Sequence, residues 1–180
     1  AGLEYGIHVD KKGVNLTFSG YSDRIQELVK TVAGRLKKIT IDNKTFNTLK
    51  EVRLRRYQNF HFRQPYQQAF YFRSLLLEGH KFSIMDYEKE IKKIKLKDLK
   101  KFANKLYDRL YIEGLAYGNL REETVLEAVG VLQEKLDGKP LAEAKRFVNS
   151  VRQISAGESH TFTRIMQVEN SAVVTDIQVG

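Results

Sequence analysis

Residues 59–77 read NFHFRQPYQQAFYFRSLLL, and the reading of this run decides what is built around it. Phe and Tyr rings stand beside Arg63, Arg73, three glutamines and a lone Pro65. Two chemistries use such a mixture. Rings and guanidinium groups stack on nucleobases, and rings on a helix fill a core. Pro65 settles the local structure. The residue before a proline avoids the α region, so Gln64 marks a break. Proline is favoured in the first turn of a helix, which predicts a new helix from Pro65 to about Leu77, ending near Gly79. Its rings fall all round that helix, so burial on several sides is expected.

Upstream, a helix is predicted from about Asn43 to Phe60, with Phe46, Leu49, Tyr57 and Phe60 near one side and Arg53, Arg55 and Arg56 crowding its middle. Before it, Ile25, Leu28, Val29, Val32 and Leu36 form a helical stripe, and Ser22 is a suitable N-cap. The chain opens on period-two alternation: Leu3, Tyr5, Ile7 and Val9, then Val14, Leu16 and Phe18. Asp10-Lys11-Lys12-Gly13 lies between, with Gly13 able to take a positive φ, so the two runs form a hairpin.

Downstream, Tyr87, Ile91 and Ile94 predict a short helix, and Leu99, Phe102, Leu106 and Leu110 a longer one. Residues 111–117, YIEGLAY, have the texture of a strand that ends in the turn Gly118-Asn119. Asn119 with Glu122 resembles a capping box. Val125, Val129, Leu132 and Leu136 form a further apolar stripe, closed by Gly138 and Pro140. Beyond it the chain is polar, and 160–168 and 171–179 have strand texture around Glu169-Asn170. The element order implies an α+β fold, with helices on one face of a mostly antiparallel sheet.

Composition limits the function classes. A 180-residue chain is long enough to bury roughly 70% of the surface its unfolded form exposes. No apolar run approaches the ~20 residues that span a bilayer, and AGLEYGIHVD has no basic or apolar targeting region. A cytoplasmic and a periplasmic setting both fit. The absence of cysteine excludes disulfides, thiol catalysis and cysteine-ligated metals. The net charge of +9 favours acidic partners. His8, His61, His80 and His160 form no local metal pair, and neither a nucleotide-binding glycine loop nor a Gly-x-Ser-x-Gly elbow is present. Glu122 and Glu123 sit where a helix dipole favours acid, which is a structural role.

Two basic features remain. Residues 89–101, KEIKKIKLKDLKK, hold seven lysines, most simply solvated faces of two helices. Arg53, Arg56, Lys92, Lys93 and Lys97 are the candidates for a surface that takes acidic ligands. Arg53, Arg55, Arg56, Arg63 and Arg73 with Tyr57, Phe60, Phe62, Tyr66 and Tyr71 would make a stacking platform for single-stranded nucleic acid if the rings were exposed. A core role for most of them is more economical, so nucleic acid is the weaker expectation.

Several motifs, in order, resemble the insulinase/pitrilysin family of zinc metallopeptidases. AGLEY, with Gly2, Leu3 and Tyr5, is similar to the family's Ala-Gly-Leu-x-Tyr strand start. Gly13 through FSGYSDR, with Gly20 and Tyr21, is similar to its glycine turn and Gly-Tyr-Ser helix entry. Phe62, Arg63, Gln64, Pro65, Tyr66, Gln68 and Ala69 resemble its Gln-Pro helix break. Gly118-Asn119 matches the Gly-Asn strand end, and Asn170-Ser171 resembles the Asn-Ser-Ala of the fourth domain. The resemblance implies the third domain of a four-domain peptidase that closes around a peptide chamber.

On that resemblance, residues 1–138 are third domain without its first strand and helix, 139–168 are linker with strand material, and 169–180 are the first strand of the next domain. The family's His-x-x-Glu-His is absent, and its substrate-gripping Arg/Tyr pair would lie further on. No catalytic or metal residue carries over, so zinc belongs to the parent enzyme and this chain alone is expected to be inactive. The implied partners are other domains of the parent, peptide substrates in the parent, and a second copy, because an orphan strand pairs with an available edge. The alternatives are a freestanding basic module that binds single-stranded nucleic acid and an inactive scaffold homologue.

Overall fold

A computed structural model describes residues 2–21, 24–38 and 40–179. The fold is α+β. It divides into two compact units, Ala1–Ile41 with Leu96–Phe147, and Asp42–Lys95 with Val148–Gly180. No helix among the described residues is long and apolar enough to cross a membrane.

The first unit begins with the expected hairpin. Strand β1 (Glu4–Val9) pairs antiparallel with β2 (Val14–Ser19), setting Tyr5 against Phe18, Ile7 against Leu16 and Val9 against Val14 on one face. The turn closes itself. The Asp10 N–H donates to the Gly13 carbonyl at 3.0 Å. The Asp10 carboxylate accepts from the amides of Lys12 (2.7 Å) and Gly13 (3.1 Å) and from Asn15 Nδ2 (2.9 Å). Those bonds, the Lys12 amide first, hold the Asp10 carboxyl below its ordinary range. Gly13 has φ +146°, as the turn required.

Helix α1 (Ile25–Leu36) buries Val29, Val32 and Ala33. Ser22, the expected cap, lies outside the described residues. The helix packs against α6 (Glu122–Leu136), and Gln26 Nε2 donates to Glu127 Oε2 at 2.6 Å. The capping box at Asn119 does not form. The residue that caps α6 is Arg121, without a side-chain bond, which leaves Asn119 two residues short of the helix; Glu122 and Glu123 occupy the first turn.

Between them, α5 (Leu96–Lys105) is shorter than its apolar stripe predicted. The chain turns at Leu106, and Leu110 enters a two-residue strand β3 (Arg109–Leu110), parallel to β4 (Lys139–Pro140). Gly138 permits that pairing, because a Cβ there would stand 2.3 Å from the Tyr107 carbonyl oxygen. Residues 111–117 form no strand.

In the second unit, α2 (Asn43–Asn59) is capped by Asp42 Oδ1, which accepts from the Thr45 amide at 2.7 Å. Helix α3 spans Pro65–Leu77 as predicted. Helix α4 (Ile84–Lys93) starts from a capping box between Ser83 and Asp86. α2 runs antiparallel to α4: Lys50 Nζ donates to the carbonyls of Lys92 (2.9 Å) and Ile94 (2.8 Å) at the end of α4, while Tyr57 stacks on Tyr87. Leu49, expected on the packed side of α2, is exposed.

Residues 148–179 run along α3 without forming a regular strand. An isolated bridge joins Glu78 and Val151, the Gly79 amide donates to the Ser150 carbonyl, and the Arg152 amide donates to that of Leu77.

Candidate functional site

The Gln-Pro break lies in the second unit, and its packing explains the opening run. α2 ends at Asn59, a 3-10 turn covers Phe60–Phe62, and Arg63 and Gln64 are extended before Pro65 starts α3. Such a break leaves carbonyls without helical partners, and a buried carbonyl without a donor costs about as much as a lost hydrogen bond. Gln68 supplies the donor. Its side chain is only 2% exposed, and Nε2 donates to the carbonyls of His61 (3.1 Å) and Arg63 (2.9 Å).

Phe60, also 2% exposed, is the hub of the corner. Its ring meets Tyr71 edge-on at 4.6 Å and Phe72 at 6.2 Å, and the Arg63 guanidinium lies 5.7 Å from its centre. Tyr71 Oη accepts from the Ile84 amide at 2.5 Å, so the same ring ties down the start of α4. Burial pushes the Tyr71 hydroxyl above its ordinary range. Phe72 meets Phe162 at 5.5 Å, with Arg164 5.0 Å from its ring centre.

Burial on several sides of α3 is corrected. Only Pro65, Gln68 and Phe72 are buried, three positions that share one face at helical spacing. Tyr66 and Phe70 are half exposed, and Ala69 is intermediate. A stacking platform is not assembled either: Tyr57 is engaged with Tyr87 and Tyr71 with Ile84, while Phe62 and Tyr66 stay open.

The basic candidates fall in two groups. Lys92 pairs with Glu88 (2.9 Å) and Lys93 with Glu90 (2.7 Å) along α4. The bond from Lys92, with His61 3.8 Å away, holds the Glu88 carboxyl below its ordinary range. Arg53 and Arg56 are exposed on α2 and have no carboxylate within ion-pair distance among the described residues. Lys97 is likewise exposed, but belongs to the first unit.

The glycines of the sequence motifs hold special backbone. Gly2, Gly20 and Gly118 have φ of +98°, +142° and +126°. At Gly20 a Cβ would stand 2.3 Å from the Gly2 carbonyl oxygen, because the chain past β2 runs against residues 2 and 3. Leu3 stands just before β1 and Tyr5 lies within it, Tyr21 is exposed, and Asn170 Oδ1 accepts from the Ser171 amide at 3.0 Å.

These residues do not fit a catalytic zinc ion. Zinc sites of that kind use three protein ligands, and among the described residues no three His, Cys, Asp or Glu side chains are grouped to hold a metal. His61 faces Glu88, and His160 lies 3.5 Å from Glu158.

The fold is thus helix-rich α+β, and in the second unit Phe60, Pro65 and Gln68 secure a helix junction. A family model described as the middle or third domain of peptidase_M16 matches residues 1–90, and the chain belongs to that family. It is 30% identical to insulin-degrading enzyme-like 1, peroxisomal, of Arabidopsis thaliana over 99% of this chain and 19% of the relative. It is 30% identical to the insulin-degrading enzyme of Homo sapiens over 76% of this chain and 13% of that enzyme. A Schizosaccharomyces pombe protein that bears the name of a zinc protease is 21% identical over 100% of this chain and 19% of its own length. The chain thus spans no more than about a fifth of these curated relatives.

Proposed function

We propose that this chain is a non-catalytic part of a zinc-dependent endopeptidase, which walls the peptide-holding chamber and packs on neighbouring domains of the same polypeptide. Family membership supports the parent's class. The observation that carries the packing role is apolar surface in segments of strand texture: Leu115 is 96% exposed, Tyr117 97% and Val173 92%. Side chains of this size at alternating positions have most to gain from a covering surface.

In this reading residues 1–138 are third domain, 139–168 lead out of it, and 169–180 pair within the fourth. The helix break sets the angle between α2 and α3. Zinc, which polarises a scissile carbonyl and activates water when bound, is held by another domain. The basic surplus of the chain favours acidic stretches of peptide substrates.

The test uses an antibody raised against this chain to capture the native protein from source cells. The expected product is several times larger than 20.9 kDa, with peptide hydrolysis that a chelator stops and zinc restores, while the purified 180-residue chain cleaves nothing. A native band near 20.9 kDa, or chelator-sensitive cleavage by the 180-residue chain, overturns the reading.

A further inference from the structure

Packing chooses the residue that follows the cap of α6. A Cβ at Gly138 would stand 2.3 Å from the Tyr107 carbonyl oxygen and 2.7 Å from Leu110 Cδ1, so only glycine fits where the chain enters β4. The residue before it is Asp137, and no other aspartate or asparagine of the chain precedes a glycine. Asp137 is also the one non-glycine residue with a positive φ among the described residues, at φ +45° and ψ +40°. Side chains other than Asn and Asp seldom take that conformation. Its carboxylate is 89% exposed, with Lys37 Nζ 3.9 Å away. The Gly138 amide has no hydrogen-bond partner among the described residues.

We propose that Asp137-Gly138 is a site of backbone isomerisation gated by the fold. The Gly138 nitrogen, which no side chain of its own residue shields, attacks Asp137 Cγ. The N–Cγ bond forms and one Cγ–O bond breaks. The departing oxygen takes the amide proton and a second proton and leaves as water, and a five-membered succinimide remains. Water then opens the ring. Attack at Cγ restores aspartate, and attack at the Asp137 backbone carbonyl gives isoaspartate, whose chain runs through Cβ and Cγ. The water lost is regained, so the product has unchanged mass, one more carbon in the backbone and a free α-carboxylate.

The gate is the left-handed cap. At ψ +40° the Gly138 nitrogen lies nearly anti to Asp137 Cβ, so Cγ is out of bonding reach. Closure needs ψ turned by almost half a revolution, which swings residues 138–140 off β3. The bonds from the Lys139 amide to the Asp108 carbonyl (2.9 Å) and from the Leu141 amide to that of Leu110 (2.8 Å) must then break. The closed corner protects the pair, and isomerisation proceeds through local opening. It also makes the opening permanent, because the added carbon moves Gly138 out of a seat without slack.

Peptide mapping with electron-transfer fragmentation, which tells isoaspartate from aspartate, tests this on the 180-residue chain during warm incubation. In urea, isoaspartate is expected to accumulate at residue 137, and about tenfold or more slowly in the folded chain. Leu110→Ala removes the packing over Gly138 and leaves the reacting pair intact. With its helices retained by circular dichroism, it is expected to isomerise several times faster than the unaltered chain. The isomerised fraction, separated by chromatography, is expected to have lost hydrogen-exchange protection at the Lys139 and Leu141 amides. No isoaspartate at 137 in urea, equal rates in folded and unfolded chain, an unchanged rate in folded Leu110→Ala, or retained protection after isomerisation would each overturn the proposal.

Discussion

The hairpin at 4–19 and the segment at 160–179 carry a similar alternating texture, yet only the first becomes paired strand. The difference is the distance to a partner. In the hairpin Val9 and Val14 are separated by a turn that satisfies itself through Asp10, and a register fixed at the turn runs back to Glu4 and Ser19. The tail has no such turn. It is held by scattered ties: to α3 through Arg73 Nε and Asp176 Oδ1 at 2.7 Å, and to the segment just before it through Gln178, which meets the Ile154 amide and the Arg152 carbonyl at 2.9 and 2.7 Å. Alternation specifies that a segment can pair, and pairing needs an edge within reach.

The largest expected effect comes from removing local closure. Gly20→Val places a side chain against the Gly2 carbonyl at a φ of +142°, a conformation that costs a branched residue about 3 kcal/mol. Thermal unfolding should register the loss, and a loss below about 0.5 kcal/mol would mean that the hairpin does not need this close approach.

Gln68→Met tests the same principle at the helix break. It keeps side-chain volume and removes the donor to His61 and Arg63, with an expected cost of about 2 kcal/mol by urea titration. If Met proves neutral, those carbonyls find other donors and the break is not held as described.

A smaller effect is expected on the open side. Asp176→Asn weakens a partly exposed ion pair worth at most about 1 kcal/mol. Global stability should barely move, while hydrogen exchange at 171–179 quickens. A large global loss would place the tail in the cooperative core. The finest test is local. Because the Asp10 carboxyl is depressed in the folded hairpin, its stabilising bonds are fully present above the ordinary value of 3.8 and fade as pH falls through the lower folded value. The Lys12 and Gly13 amide resonances should follow that titration, and amides that ignore it would show that the carboxylate does not hold the turn.

The sequence disclosed what is local. Pro65 fixed the start of α3, and the Val29 and Val32 stripe located the buried face of α1. It misjudged elements whose fate depends on distant groups. Leu106 and Leu110 continue the apolar period of α5, but the chain turns to let Leu110 meet Pro140. The rings of α3 suggested all-round burial, because periodicity cannot say which neighbours arrive. Gln68 was legible only as a motif residue. Its role requires knowing that the carbonyls of His61 and Arg63 are left over by the break, and a glutamine four residues into the helix after such a Pro is the signal to look for. The basic candidates were visible as residue types, whereas the partners of Lys92 and Lys93 emerge only at i+3 and i+4 spacing along α4.

The central claim is that strand-textured segments open in this chain are covered in a longer peptidase. Hydrogen exchange tests it most directly, by comparing the amides of 111–117 and 171–179 in the 180-residue chain and in the native protein captured from cells. Fast exchange in the chain and strong protection in the native protein are the predicted result. Equally fast exchange in both would contradict it.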